Sequence, residues 1–325
     1  MTKMTYAQAV TQTLERLMRE DDRIIMIYPG IGEALPFKLP DDLRSRGFGM
    51  PIAELGYAGA GTGAAVAGMK PLVNFGIGSW MFQAWAHVIN EAPQYYYTTG
   101  GERPIPIVFH IASGIRSANG SQHSHNVQGM LWNTPGLQIT MPATAADVKG
   151  MLPSMFASPN PTFFISHSFT DQIEWEVPDD DYVIPLGKAD VKREGKDATI
   201  IASSIMVHRA LDAAETLAND HKVDVEVVDI RSLVPLDKET LLKSVAKTGI
   251  VTIGDEGHRS NNVASGISSI IAEEAFGSLK GPINIVSPPD VCIPYSPPME
   301  AFIRPTADKL VASVLSQLKL APAKA

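Results

Sequence analysis

The segment GSQHSHN, residues 120–126, holds the side chains of this sequence that are best suited to chemistry. It places His123 and His125 two positions apart, a spacing at which both side chains point the same way only if the backbone is extended. Histidine titrates near neutral pH, so it serves as an acid–base group as well as a metal ligand. A metal site needs further ligands, and none lie near in sequence. An acid–base site, a metal clip and a solvated loop are the three interpretations of this segment.

A second candidate is Glu54, which directly precedes a stretch of small residues, LGYAGAGTGAAVAGM, at residues 55–69. The stretch predicts a helix with poor intrinsic propensity, but its small side chains let another backbone or a flat ligand come close. The helix either packs tightly inside its domain or lies at a subunit interface beside a cofactor. An acid at its start either serves such a cofactor or simply complements the helix dipole.

Composition restricts the class of protein. The chain has 325 residues, 45% of them hydrophobic and 19% charged, which is ample material for buried cores. A net charge of −8 argues against nucleic acid or an anionic membrane as the main partner. The single cysteine, Cys292, rules out an intrachain disulfide and fits a reducing compartment. Residues 1–20 predict a helix rather than a signal peptide, and residues 55–69 are too short to span a bilayer, so we expect a soluble, cytoplasmic protein.

The order of strand-like and helix-like stretches predicts the elements that must position these candidates. Short apolar strands alternate with helical stretches, from RIIMIY near the start to PTADKLVASVLSQL near the end. Such alternation predicts parallel sheets with helices on both faces. The polar, charge-dense residues 171–197 interrupt the alternation, and we interpret them as a linker. The sequence thus predicts an α/β protein of two domains, residues 1–185 and 186–325, with one long helix over residues 80–99.

A set of fragments in a fixed order carries a family resemblance that covers nearly the whole chain. The fragments are PIAELGYAGAGTGAAVAGMKPLV, NEAPQYYYTTGG, PIPIVFH, QHS, PGLQITMP, DVKGML, VDIRSLVPLD, IGDEG and EAFGSLKGPI. Together they resemble the β subunit of the thiamine-diphosphate-dependent, decarboxylating component of 2-oxo acid dehydrogenase complexes. The resemblance implies a pyrimidine-binding domain, a transketolase-type C-terminal domain, and oxidative decarboxylation with acyl transfer to a lipoyl group.

The same resemblance implies partners and cofactors. It implies a heterotetramer of two α and two β chains that works with a lipoyl acyltransferase. In this family the α chain holds the diphosphate and Mg²⁺ through a GDG motif, and no GDG occurs in this sequence. The resemblance also places a K⁺ ion on main-chain carbonyls near Ile107, Ser158 and Asn160. Because the diphosphate and metal site lies on the α chain, this chain should hold half of an active site.

Roles for single residues follow from the motif matches. Glu54 matches the glutamate that hydrogen-bonds the pyrimidine ring and drives its imino tautomer, a role that needs an apolar site to keep the bond strong. Trp80 matches the aromatic residue on the pyrimidine face, with Gln83 nearby. His123 matches the histidine that serves acid–base steps and stabilises charge during acyl transfer. His125 stands where most relatives carry Gln, and we expect it beside the site or facing the substrate.

Departures from the family pattern fall around the predicted site. They are Asn74 for an acid, Gly78 for Phe, Ala86 for Asp, His110 for Arg, Asn133 for His, and a shorter loop in YPGIGEALPFKLP. Glu54 and His123 are retained, which predicts a retained cofactor and an altered substrate pocket that includes His110, His125 and Asn133. Two alternatives stay open: cleavage of an acetoin-like hydroxyketone, and a catalytically silent chain that assembles with and regulates another subunit.

Overall fold

A computed structural model of the chain describes residues 1–30, 39–260 and 262–319, so most of the predicted short loop, residues 31–38, lies outside the described residues. The strands are β1 (Thr2–Thr5), β2 (Ile24–Pro29), β3 (Gly47–Met50), β4 (Lys70–Ile77), β5 (Val108–Ser113), β6 (Gln138–Thr140), β7 (Thr162–His167), β8 (Glu174–Val177), β9 (Asp190–Arg193), β10 (Ala198–Ala202), β11 (Val225–Asp229), β12 (Ser232–Val234), β13 (Val251–Gly254) and β14 (Asn284–Val286). The α-helices are α1 (Tyr6–Glu20), α2 (Glu54–Val66), α3 (Ala92–Thr98), α4 (Gln128–Trp132), α5 (Ala145–Ala157), α6 (Ile205–His221), α7 (Lys238–Thr248), α8 (Val263–Glu274), α9 (Pro297–Ile303) and α10 (Ala307–Gln317).

Two largely parallel sheets form the centre of the molecule. The first has the strand order β12-β6-β7-β5-β4-β2-β3, with helices α1 and α5 packed on one face and α2 on the other. The second has the order β14-β13-β10-β11-β9, with α6 and α10 on one face and α7 and α8 on the other. Strands covered on both faces read as continuous apolar runs, as RIIMIY and ATIIA do. The predicted α/β class with two sheets is confirmed.

One apolar core joins the two sheets. Residues of the α2 face of the first sheet, such as Phe109, belong to the same buried cluster as residues of the α7 and α8 face of the second, such as Ile253. Strand β12 belongs to the second half of the chain, but it pairs antiparallel with β6 of the first sheet. The predicted boundary near residue 185 lies between β8 and β9, but β12 crosses it.

The stretch predicted as a linker, residues 171–197, contains two strands, so this interpretation was too simple. β8 pairs antiparallel with β1, and β9 forms the antiparallel edge of the second sheet. A buried ion cluster then ties the halves together, because Lys192 Nζ lies 2.8 Å from Asp147 Oδ1 and Arg231 Nε lies 2.7 Å from the same oxygen. Lys192, a charged residue of this stretch, therefore pairs across the domain junction instead of facing solvent.

The single long helix predicted over residues 80–99 is wrong. The chain forms a 3₁₀ segment over Gly78–Ala84, a π-helical turn over Ala86–Glu91 and then α3. Pro93 lies in the first turn of α3, where its missing N–H is tolerated, whereas in a longer helix its ring would crowd the carbonyl four residues earlier. The N-terminal helix likewise starts only at Tyr6, where Thr5 and Gln8 form a reciprocal capping box. Among the helices that the structure describes, none is long and apolar enough to cross a bilayer.

Candidate active site

Glu54 is the first residue of α2, and it follows β3 at the carboxyl edge of the first sheet. Its side chain is buried, with 8% of the residue exposed. Within the described residues, no hydrogen bond or ion pair reaches its carboxylate. Its oxygens still reach the protein surface, because the fully buried, unpartnered side-chain atoms of the described residues do not include them, so a group outside the chain can hydrogen-bond them. A ring nitrogen of a bound aminopyrimidine is a group of that kind, so Glu54 fits its predicted partner.

Trp80 and Gln83 lie on the 3₁₀ segment that packs against α2. The indole ring of Trp80 covers Gly76, where a Cβ would lie 3.3 Å from the ring and where φ is +78°, so this position requires glycine. Gln83 is exposed. The structure therefore brings the segment of Trp80 together with the helix of Glu54, and the pyrimidine contacts of Trp80 and Gln83 stay predictions.

His123 ends a 3₁₀ turn over Ser121–His123 and is exposed. The preceding Gly120 has φ +71°, and a Cβ there would lie 2.3 Å from the ring of Tyr295, which comes from the C-terminal domain. The positive φ and the short distance to Tyr295 both require glycine at this position. The close contact with Tyr295 packs the turn against the second domain. The backbone at Ser124 has φ −127° and ψ 30°, so the segment is not extended and the two histidines do not form a matched pair.

His125 is half-buried and faces a different environment. Its ring meets the ring of Phe82 edge-on, with centroids 5.1 Å apart. Burial, and then the neighbouring His258, lower the pKa of His125. A Cβ at Gly78 would lie 2.8 Å from the main-chain oxygen of His125. Glycine in place of the family's phenylalanine at position 78 therefore leaves room for the loop of His123 and His125. In the described part of the chain, no three His, Cys, Asp or Glu side chains are grouped to hold a metal ion.

A buried polar network anchors the loop of His123. Asn126 Nδ2 donates to the main-chain oxygen of Glu256 at 3.0 Å. The Glu256 carboxylate in turn lies 2.9 Å from His167 Nε2 and 2.6 Å from Arg209. Burial alone raises the pKa of Glu256, but His167 and Arg209 outweigh it and lower the pKa to about 2. The ionised Glu256 thus joins the loop to both domains.

Sequence reasoning missed this network. Glu256 lies in the IGDEG fragment and His167 ends the strand PTFFISH, and no local pattern assigns a role to either residue. The neighbouring Asp255 accepts from Gln128 Nε2 at 2.9 Å, which adds a second link between α4 and the IGDEG segment. Only the pairing of distant elements shows that these polar residues position the candidate site.

His110 is buried, as 2% of the residue is exposed. Gly76 N–H donates to Asn74 Oδ1 at 2.9 Å, so Asn74 presents an acceptor to His110 Nδ1, 3.0 Å away. The ring therefore carries its proton on Nδ1, and Nε2 lies 3.0 Å from Ser166 Oγ, which also lies 3.2 Å from the Ile111 carbonyl oxygen. Burial lowers the pKa of His110 to about 3, so the ring is neutral.

The remaining predicted residues lie apart from these groups. Asn133 is exposed at the end of α4, and the structure does not bring it together with His110. For the potassium site, the Ile107 carbonyl accepts from Thr162 N at 2.9 Å, and the Asn160 carbonyl accepts from Ser158 Oγ at 2.9 Å. Each carbonyl keeps a second lone pair, so a cation remains compatible with the site, and K⁺ stays a prediction.

Comparisons with known proteins identify the families of the two domains. Residues 2–168 match the family described as transketolase, pyrimidine binding domain, and residues 187–310 match transketolase, C-terminal domain. A solved structure titled split gene transketolase, inactive beta4 tetramer, superposes with a TM-score of 0.82 over 98% of this chain and 99% of that chain at 24% identity, which supports the fold.

Curated relatives extend the match over nearly the full length. The β subunit of acetoin:2,6-dichlorophenolindophenol oxidoreductase from Cupriavidus necator is 33% identical over 98% of each chain. The pyruvate dehydrogenase E1 component subunit β from Rickettsia felis is 34% identical over 96% of this chain and 97% of its own. The 2-oxoisovalerate dehydrogenase subunit β from Bacillus subtilis is 35% identical over 97% of this chain and 98% of its own. The chain therefore belongs to the family of β subunits of thiamine-diphosphate-dependent 2-oxo acid and acetoin dehydrogenases, which are oxidoreductases built from these two transketolase domains.

Proposed function

We propose that this chain is the β subunit of a 2-oxo acid dehydrogenase and that it contributes the aminopyrimidine half of the active site. Bound thiamine diphosphate supplies the carbon nucleophile for oxidative decarboxylation and for acyl transfer to a lipoyl group. The observation that carries the proposal is Glu54, a buried carboxylate with no partner in the described part of its own chain, on a helix that packs against the segment of Trp80.

Three residues of the chain have separate tasks in this proposal. Glu54 holds the pyrimidine ring by a hydrogen bond and keeps it in its reactive tautomer. Trp80 orients the ring by stacking, which contributes about 0.5–1.5 kcal/mol beyond area burial. His123 is exposed at the end of an anchored loop, so it is accessible to hold or move a proton during acyl transfer.

A second chain must complete this site. No GDG occurs in the sequence, so an α subunit would hold the diphosphate and Mg²⁺ in an α₂β₂ heterotetramer. The outer face of α2 suits such a partner, because a Cβ at Gly63 would meet nothing of its own chain within 4 Å, and Leu55 on the same helix is 51% exposed. Gly61, by contrast, is needed inside, since a Cβ there would lie 2.4 Å from Val73. The exposed glycine therefore fits close approach by another backbone.

Replacing Gly63 by Leu tests this face. The change raises helix propensity by roughly 0.8–1 kcal/mol, so the isolated chain should unfold at an unchanged or higher temperature. Inserting a large side chain into a close-packed interface costs about 1–3 kcal/mol, so the dissociation constant for the α subunit should rise by about 5- to 150-fold. Analytical ultracentrifugation measures the association. Thr216→Leu, on the exposed side of α6, is the control and should assemble normally; wild-type assembly of G63L would exclude this face as the interface.

The half-site itself is tested by binding. The isolated chain should bind thiamine diphosphate and Mg²⁺ weakly, because the anchor for diphosphate and metal is on the other subunit. Titration calorimetry with and without the α subunit measures the difference, and tight binding by the isolated chain would refute the proposal. Activity of the complex on 2-oxo acids and on acetoin then separates the leading function from hydroxyketone cleavage, which the acetoin relatives favour as a second candidate.

Several finer points belong to the same proposal. The acyl acceptor is a lipoyl acyltransferase, K⁺ is held by the carbonyls near Ile107, Ser158 and Asn160, and the complex works in the cytoplasm. Loss of activity with every lipoyl domain offered, together with retained activity on an artificial electron acceptor, would reject the acyltransferase partner while leaving the cofactor site intact.

A further inference from the structure

A cavity of about 450 Å³ lies at the carboxyl edge of the first sheet, on the face covered by α1. Its walls include Tyr6 and Val10 from α1, Phe164 from β7 and the indole of Trp80. Helix α2, which carries Glu54, covers the opposite face of this sheet. Of the residues predicted for the active site, Trp80 and His110 line the cavity, whereas Glu54, Gln83, His123, His125 and Asn133 do not. The cavity is thus separate from the acid and the histidine of the candidate active site.

The polar lining of the cavity is unsuited to an anionic ligand. It comprises the neutral His110–Ser166 pair, Asp171 and, at the exposed rim, Gln172. None of its described lining residues is Lys or Arg. Burial raises the pKa of Asp171 to about 6, against the opposing effects of Arg116 and His167, so the group is mainly ionised at pH 7.5. An anionic ligand would therefore meet a carboxylate without a lining cation to balance it.

The size and walls of the cavity suit a small organic molecule. Its walls are mainly apolar, and the half-buried Asp171 offers an acceptor to a ligand that carries a hydrogen-bond donor. The volume falls within the range of roughly 300–1,000 Å³ that is typical of small-molecule pockets with mainly apolar walls.

We propose that this cavity binds a largely apolar small molecule that is not anionic and that carries a hydrogen-bond donor. Its ring or branched body lies against Phe164 and Trp80, and its donor faces the Asp171 carboxylate at the rim. Benzamide and benzoate are matched probes, because they share a shape and differ in charge. Ligand-observed NMR and calorimetry on the full chain should detect benzamide binding, and benzoate should bind at least about tenfold more weakly at pH 7.5, since like-charge juxtaposition is costly.

Variants assign the binding to the cavity. Ala7 lines it from the half-buried side of α1, so Ala7→Leu fills the space with a residue that favours helix and should abolish benzamide binding. Gln12→Leu, on the exposed side of the same helix, should bind benzamide like the wild type. If Ala7→Leu lowers the unfolding temperature markedly, Ala112→Val fills the cavity from β5 instead.

Four outcomes would overturn the proposal. They are no binding of either probe, equal binding of both, binding that survives Ala7→Leu or Ala112→Val, and displacement of benzamide by thiamine diphosphate in the α–β complex. The first would mean a cavity filled by water, and the last would make the cavity part of the cofactor site. Because the titration needs neither cofactor nor partner, failure of this proposal leaves the proposed function untouched.

Discussion

In the assembled α–β enzyme, Glu54→Gln is expected to lower the exchange of the C2 hydrogen of bound thiamine diphosphate by about 10²–10⁴-fold, the usual loss when a positioned acid–base group is removed. Gln keeps the shape and a hydrogen bond but cannot supply the acid that drives the reactive tautomer. Glu54 is buried, and no described residue of its own chain pairs with it, so its carboxyl group is available for this single task. Every overall activity should fall in parallel, including decarboxylation measured with an artificial electron acceptor.

Cofactor affinity provides a readout that does not depend on turnover. Calorimetry should show that E54Q still binds thiamine diphosphate in the complex, with a loss smaller than the loss in exchange, because diphosphate and metal are held by the α subunit. Glu215→Gln, an exposed glutamate on α6, is the matched control and should exchange like the wild type. If E54Q also exchanges at the wild-type rate, then Glu54 only packs and complements the start of α2.

Local sequence patterns predicted the elements that carry strong local signals. Helices α5 and α7 each start after a capping side chain, Thr144 for α5 and Asp237 for α7. The buried parallel strands were also identified, because continuous apolar runs between turns leave few alternatives. These elements place Glu54 and the histidine loop at the carboxyl edge of the first sheet.

The errors arose where distant parts of the chain decide the structure. β8 forms because it pairs with β1, which lies at the other end of the domain in sequence. No pattern within EWEV predicts that partner. Residues 80–99 have helical composition, yet packing and Pro93 divide them into three kinds of helix. The network of Asn126, Glu256 and His167 was invisible for the same reason, since its members lie in fragments far apart in sequence.

His123→Ala is expected to separate from Glu54→Gln. Exchange of the C2 hydrogen should persist near the wild-type rate, because His123 is not the acid that acts on the pyrimidine. Overall turnover should fall by about 10²–10⁴-fold, and transfer to a lipoyl domain should fall most, because those later steps need a positioned proton donor or acceptor. Stopped-time exchange measured by NMR, compared with turnover of the reconstituted complex, gives both quantities from one preparation.

The geometry of the loop makes this separation testable. His123 is exposed at the end of its turn, and the anchors of the loop are Gly120 against Tyr295 and Asn126 against Glu256, neither of which uses the imidazole. Removing the ring should therefore leave the loop in place, and unfolding temperature should not change. His125→Gln restores the residue that most relatives carry and should keep lipoyl transfer, so a loss confined to H123A assigns the proton to His123. An equal fall in exchange and turnover for H123A would instead mean that the loop acts on the cofactor as a whole.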